Sequence, residues 1–128
     1  MPFPFGRKKR LTPEQQRKKT NLEQLIGDDK ETYDALAQVM FLDPRKISTP
    51  IKQVVDNAKK SEKDKDMSMA GMWYEVAAGL SLYEGNVKKI VEYYNEAKRV
   101  TGREYFILKN PEKAVVAARQ YYEKYLQT

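Results

Sequence analysis

Apolar residues along this chain recur at helical spacing in blocks, and short polar stretches carrying glycine or proline separate the blocks. The first block opens at Thr12-Pro13-Glu14-Gln15. A capping threonine, a proline at the first helical position and a capping-box glutamine agree there. The pattern predicts a helix over residues 13–26, stopped by Gly27. Its apolar residues Leu22, Leu25 and Ile26 gather at the C-terminal end, so the helix should dock by that end and project the other. Asp28 with Glu31 opens a second helix burying Tyr33, Leu36, Val39 and Met40, which Asp43-Pro44 ends. Thr49-Pro50 starts a third, with Ile51, Val54, Val55 and Ala58 on one face. Residues 61–66 contain no apolar side chain and read as a charged connector.

A fourth helix, residues 67–84, is apolar around much of its circumference. That predicts the central and most buried helix, with Gly71, Ala77, Ala78 and Gly79 admitting close neighbours. Gly85-Asn86 separates it from a fifth carrying Val87, Ile90, Val91, Tyr94, Ala97 and Val100, which ends at Gly102. Tyr105-Phe106-Ile107-Leu108 is strand-like but has no partner strand, so it reads as an extended linker packed on the bundle. Asn110-Pro111-Glu112 caps a last helix with Val115, Ala118, Tyr121, Tyr122, Tyr125 and Leu126. The expected fold is all-α, a bundle of five or six helices with an extended basic N-terminal arm. Residues 1–20 form the arm and the start of the first helix, and residues 21–128 the helical bundle domain. Trp73, Leu80, Ile90, Tyr94 and Tyr122 are the expected core or contact residues.

Charge changes this picture. The 128 residues hold 24 Lys and Arg against 18 Asp and Glu. Arg7, Lys8, Lys9, Arg10, Arg17, Lys18 and Lys19 face a single acid, Glu14, within the first twenty positions, and the remainder is electrically balanced. A neutral body with a concentrated basic end reads as a body plus an arm that seeks a polyanion. Those seven cations are the candidate nucleic-acid-binding residues. A solvated tail, a localisation element and an anionic membrane surface are the alternatives, the last resting on Phe3 and Phe5 beside the cations.

Little else carries chemistry. No Asn or Gln stands beside Arg7 or Arg10 in the arm over residues 1–11, and no helix-turn-helix or zinc pattern is present, so binding through backbone and shape is expected, with little sequence preference. The nine tyrosines could stack on bases, but tyrosines on helix faces more often pack into cores and contacts. With no His and no Cys, the usual general base, thiolate nucleophile and disulfides are excluded. The serines show no nucleophile elbow, and Glu62, Asp64 and Asp66 lack the glycine and terminal glutamate of a calcium loop. No enzyme, cofactor or metal site is expected. No apolar run follows the early cations as in a secretory signal, and the least polar stretch is short for a bilayer span, so neither secretion by a signal peptide nor integral membrane association is expected. A composition rich in Lys, Glu and Arg without Cys suits a hot environment.

Two resemblances bear on function. Residues 82–97 resemble the second helix of a tetratricopeptide repeat, and residues 110–114 echo its beginning. Asn86 and Asn110 are too close for its period of about 34 residues, and no third copy exists. Phe5-Gly6-Arg7-Lys8-Lys9-Arg10, the helix from Pro13 and the tyrosine-rich bundle from Met67 together resemble the major coat proteins of filamentous double-stranded DNA viruses of hyperthermophilic archaea. That resemblance implies an arm and first helix that wrap DNA and a bundle that packs subunit to subunit. It further implies a homo- or hetero-oligomer, double-stranded DNA as partner ahead of RNA, and residence in a virion or cytoplasmic nucleoprotein assembly. A helical protein-interaction module with a solubility or localisation tail, and a small ribosomal or ribonucleoprotein subunit, are the other readings.

Overall fold

The computed structural model describes residues 20–126, and every regular element in that span is helical. Six α-helices follow in order: α1 (Asn21–Ile26), α2 (Lys30–Ala37), α3 (Ile51–Lys63), α4 (Met67–Glu84), α5 (Val87–Thr101) and α6 (Pro111–Tyr125). Two 3-10 turns, Pro44–Lys46 and Phe106–Lys109, sit in the longer connections.

The opening helix differs from the expected continuous run over 13–26. Thr20 is extended, with φ −70° and ψ 166°, and caps α1. Its hydroxyl accepts from the Glu23 N–H, while the Thr20 N–H donates to Glu23 Oε1 at 2.8 Å. This second capping box satisfies two otherwise orphaned donors and so starts a new helix at Asn21. The predicted start at Thr12-Pro13 lies outside the described residues.

Asp29, rather than Asp28, caps α2 by accepting from both the N–H and the hydroxyl of Thr32. The helix stops at Ala37 instead of reaching Met40, and Gln38 makes a long-range clip. Its Nε2 donates to the Glu104 carbonyl at 2.9 Å and its Oε1 accepts from the Phe106 N–H at 2.8 Å. Those two bonds replace the next helical turn.

Helix α3 buries Val54 and Ala58 as its spacing requires, but it runs through Lys63 into the segment expected to be a connector. Glu62 gains tertiary partners there, which outweighs the lack of apolar residues. The actual turn is Asp64-Lys65-Asp66, with Lys65 in the left-handed region at φ 62°.

The α4 boundaries fall where the sequence puts them. Asp66 accepts from the Met69 N–H at the start, and Gly85 takes the left-handed φ of 71° that ends the helix without a Cβ clash. Helix α4 lies between α3 and α5, its two principal neighbours. It is fully covered only in its second half. Ala77 through Leu82 are all buried, and residues 40–42 lie against it so tightly that a Cβ on Gly79 would stand 2.6 Å from the Met40 carbonyl oxygen. In the first half, Ala70, Gly71 and Tyr74 are buried while Met67, Met69 and Met72 are about two-fifths exposed.

The run at 105–108 is no extended linker. Phe106–Lys109 coils into a 3-10 turn that places Tyr105 and Ile107 in the core. Leu80, Ile90, Tyr94 and Tyr122 are buried as expected, whereas Trp73 is half-buried against the core edge.

Candidate nucleic-acid interface

All seven candidate contacts, Arg7, Lys8, Lys9, Arg10, Arg17, Lys18 and Lys19, lie outside the described residues. The described body shows how its own cations are used. Arg99 reaches Glu62 at 2.8 Å and Glu96 at 2.7 Å, and Arg103 reaches Glu75 at 2.9 Å. Arg45 grips Asp43 with two nitrogens, Lys113 pairs with Asp29, and Lys30 pairs with Asp34. The side-chain bond from Arg45 holds the Asp43 carboxyl below its usual range, and that from Lys113 does the same for Asp29.

Most of the body's lysines make no such pair, and among its described arginines Arg119 is the one that meets no carboxylate. Its guanidinium lies beside Gly85, where a Cβ would come within 2.8 Å of Nη2. A cation at the C-terminal end of α4 opposes the negative end of the helix dipole. Arg119 also lines an open cleft of about 380 Å³ with Arg45, Tyr83, Tyr122, Glu123 and Leu126. The acids Glu123 and Asp43 balance its two arginines, so the cleft lacks the net positive charge a phosphate polymer needs.

The aromatic residues form a connected chain through the same region. Arg45 sits 5.3 Å over the Tyr83 ring, and Tyr83 meets Tyr122 edge-on at 5.2 Å. Phe41 contacts Tyr122 at 5.5 Å and stacks on Tyr121 at 4.2 Å, and Tyr121 leans on Tyr125 at 5.1 Å. The rings face one another, so Tyr121 and Tyr125 serve packing rather than a base-stacking platform. The Tyr122 hydroxyl donates to the Leu42 carbonyl at 2.7 Å, whereas the Tyr125 hydroxyl is buried without a partner among the described residues.

Carboxylates with chemical potential are likewise engaged. Glu62 accepts from the Tyr74 hydroxyl as well as from Arg99, and Glu75 accepts from the Tyr105 hydroxyl as well as from Arg103. Among the described residues no cluster of acids is arranged to hold a metal ion, and no helix is long and apolar enough to cross a membrane. What the sequence reading missed is the exposed methionine face in the first half of α4. Its signal was present, because Met67, Met69 and Met72 belong to a helix apolar around much of its circumference, but apolarity alone does not say which turns a neighbour covers.

No family model, no curated protein and no solved structure matches this chain.

Proposed function

We propose that the chain is a non-enzymatic structural protein that binds nucleic acid through its basic N-terminal segment and self-associates through its helical body, as a virion coat or nucleoprotein subunit. The observation that carries this reading is the charge partition: the whole cationic excess lies in residues 1–20, ahead of a neutral body. Pairing within the body supports it, because Arg45, Arg99 and Arg103 are already held by carboxylates. Arg7, Lys8, Lys9 and Arg10 contact phosphates in this scheme, and Arg17, Lys18 and Lys19 extend the track. Binding is indifferent to sequence. Double-stranded DNA is the favoured polymer on the strength of the coat-protein resemblance.

The test is a salt titration with duplex DNA and with RNA, comparing the full chain with a variant lacking residues 1–19, which keeps the Thr20 cap. Neutralising about 6–7 phosphates gives a log–log salt slope of roughly −6 for the full chain, which the shortened variant loses. Equal affinity and slope in the two proteins would refute the arm's role.

The apolar, half-covered α4 favours a second reading, a protein-interaction module whose tail serves solubility or localisation. It requires a protein partner whose binding survives removal of residues 1–19, and negligible nucleic-acid affinity above about 150 mM salt.

A further inference from the structure

The bond between Asp43 and Pro44 joins the segment that carries α1 and α2 to the segment that carries the other four helices. A peptide bond from Asp to Pro is chemically weak. The Asp carboxylate can close a ring on its own main-chain carbonyl, and proline, whose amide nitrogen bears no hydrogen, leaves as a secondary amine. The fold acts on this bond in two opposite ways.

The carbonyl is primed for attack. Asp43 O accepts from the Lys46 N–H at 2.9 Å, across the 3-10 turn Pro44–Lys46. A donor on that oxygen favours the negative charge it gains when its carbon is attacked. The nucleophile, in contrast, is held back. Oδ1 accepts from the Arg45 backbone N–H at 2.9 Å and from its Nε at 3.0 Å, and Oδ2 accepts from Nη2 at 2.8 Å. Bonds of this charged, forked kind fix both carboxylate oxygens. The Asp43 side chain is 11% exposed and that of Arg45 54%, so the carboxylate is shielded beneath a guanidinium that solvent reaches. The other ionisable groups that feel this carboxylate among the described residues are Lys46 and Tyr122.

We propose that Asp43-Pro44 is a latent self-cleavage site and that Arg45 is the restraint that keeps the folded chain whole. Once the carboxylate leaves Arg45, one Oδ attacks the Asp43 main-chain carbonyl carbon. The C–N bond to Pro44 breaks with its electron pair on nitrogen, which takes a proton from solvent and becomes a new amino terminus. The cyclic anhydride left on Asp43 adds water and opens to a carboxyl-terminal aspartate. One water is consumed, and nothing is oxidised or reduced. The cut severs α1 and α2 from the rest covalently but leaves the contacts that bridge it. These are Gln38 to Glu104 and Phe106, Lys113 to Asp29, and Tyr122 to Leu42. A cut molecule therefore keeps its helices and shows two fragments only when denatured.

The test incubates the full chain in mild acid below its unfolding temperature, with circular dichroism confirming the helices. Mass spectra then follow fragments 1–43 and 44–128. Arg45→Gln should cleave more than about 10-fold faster than the parent, because hydrogen bonds to a charged group are worth at least that factor. Adding Asp43→Ala to Arg45→Gln should abolish the cut by removing the nucleophile. Tyr122→Phe loosens the same corner of the fold but leaves the Asp43–Arg45 pair intact, and should stay close to the parent rate. An Arg45→Gln chain no faster than the parent overturns the proposal. Equal acceleration by Arg45→Gln and Tyr122→Phe does so as well, since it assigns the cut to unfolding alone. The parent itself supplies a comparison that needs no variant: folded chain should cleave far more slowly than chain unfolded in urea at the same acidity, and equal rates would show that Arg45 restrains nothing.

Discussion

Glu62 on α3 and Arg99 on α5 meet at 2.8 Å, and Tyr74 of the intervening α4 donates its hydroxyl to the same carboxylate. One side chain thus ties three successive helices. Glu75 repeats the device one step along, joining α4 to Arg103 and Tyr105 after α5. Both carboxylates are mostly shielded, at 20% and 16% side-chain exposure, and each has two donors, so charge and hydrogen bonding act together.

The Tyr74 bond, aided by Arg99 and opposed by desolvation, holds the Glu62 carboxyl below its usual value of 4.5. A depressed folded pKa contributes stability that is present above the unfolded value and lost as pH falls through the folded one. Glu62→Gln should lower stability at pH 7 by about 1 kcal/mol and lose less than the parent between pH 5 and about pH 2. Urea midpoints across that range check it, and parallel curves for parent and variant would contradict the assignment.

Alkali works the other way. Burial raises Tyr74, Tyr94 and Tyr122, and raises Tyr105 to about 12, all from an ordinary 10. Raised folded values contribute stability below pH 10, lost as pH climbs through them. Ultraviolet titration should show these four tyrosines ionising late and together with the loss of helical signal. Ionisation near pH 10 in a fully helical protein would show the rings to be open to water.

Two tyrosines on α6 should respond oppositely to loss of their hydroxyls. Tyr122→Phe deletes the bond to the Leu42 carbonyl and should cost about 1 kcal/mol. Tyr125→Phe removes a buried hydroxyl with no partner among the described residues, and should be neutral or stabilising by up to about 1 kcal/mol. Thermal melts of the two variants decide it, and equal losses would mean Tyr125 has a bond of its own.

Gly79→Ala should destabilise by about 2 kcal/mol or more, because the added methyl meets the rigid Met40 carbonyl. Gly71→Ala meets the Thr101 methyl instead; that side chain is held by bonds to the Ala97 carbonyl and from the Arg103 N–H, but it sits on the exposed last residue of α5, which can shift, and the change should cost less. Chemical denaturation ranks the pair, and a reversed order would mean that residues 40–42 yield more easily than their packing implies.

Elements whose limits are set by adjacent residues were legible in the sequence. Asp66 and Gly85 bracket α4, Asn86 and Gly102 bracket α5, and Asn110-Pro111 opens α6, each through a local cap. Distant contacts set what was not legible. Gln38 ends α2 by bonding to residues more than sixty positions away, Glu62 prolongs α3 through Tyr74 and Arg99, and burial of Ile107 coils a strand-like run. The capping box at Thr20 was readable, and the stronger-looking signal at Thr12-Pro13 masked it. The candidate site was legible only as charge, because the cations that define it precede the described body.

The Gln38 clip also bears on how the chain is made. Helices α1 and α2 rest on each other, on the 106–109 turn and on α6, whereas α3, α4 and α5 contact their immediate sequence neighbours. The middle three can assemble as they leave the ribosome. Helices α1 and α2 must wait for the final stretch of chain to clear the exit tunnel. Nascent chains halted before α6 should therefore protect the α3–α5 amides from exchange and leave those of α1 and α2 open.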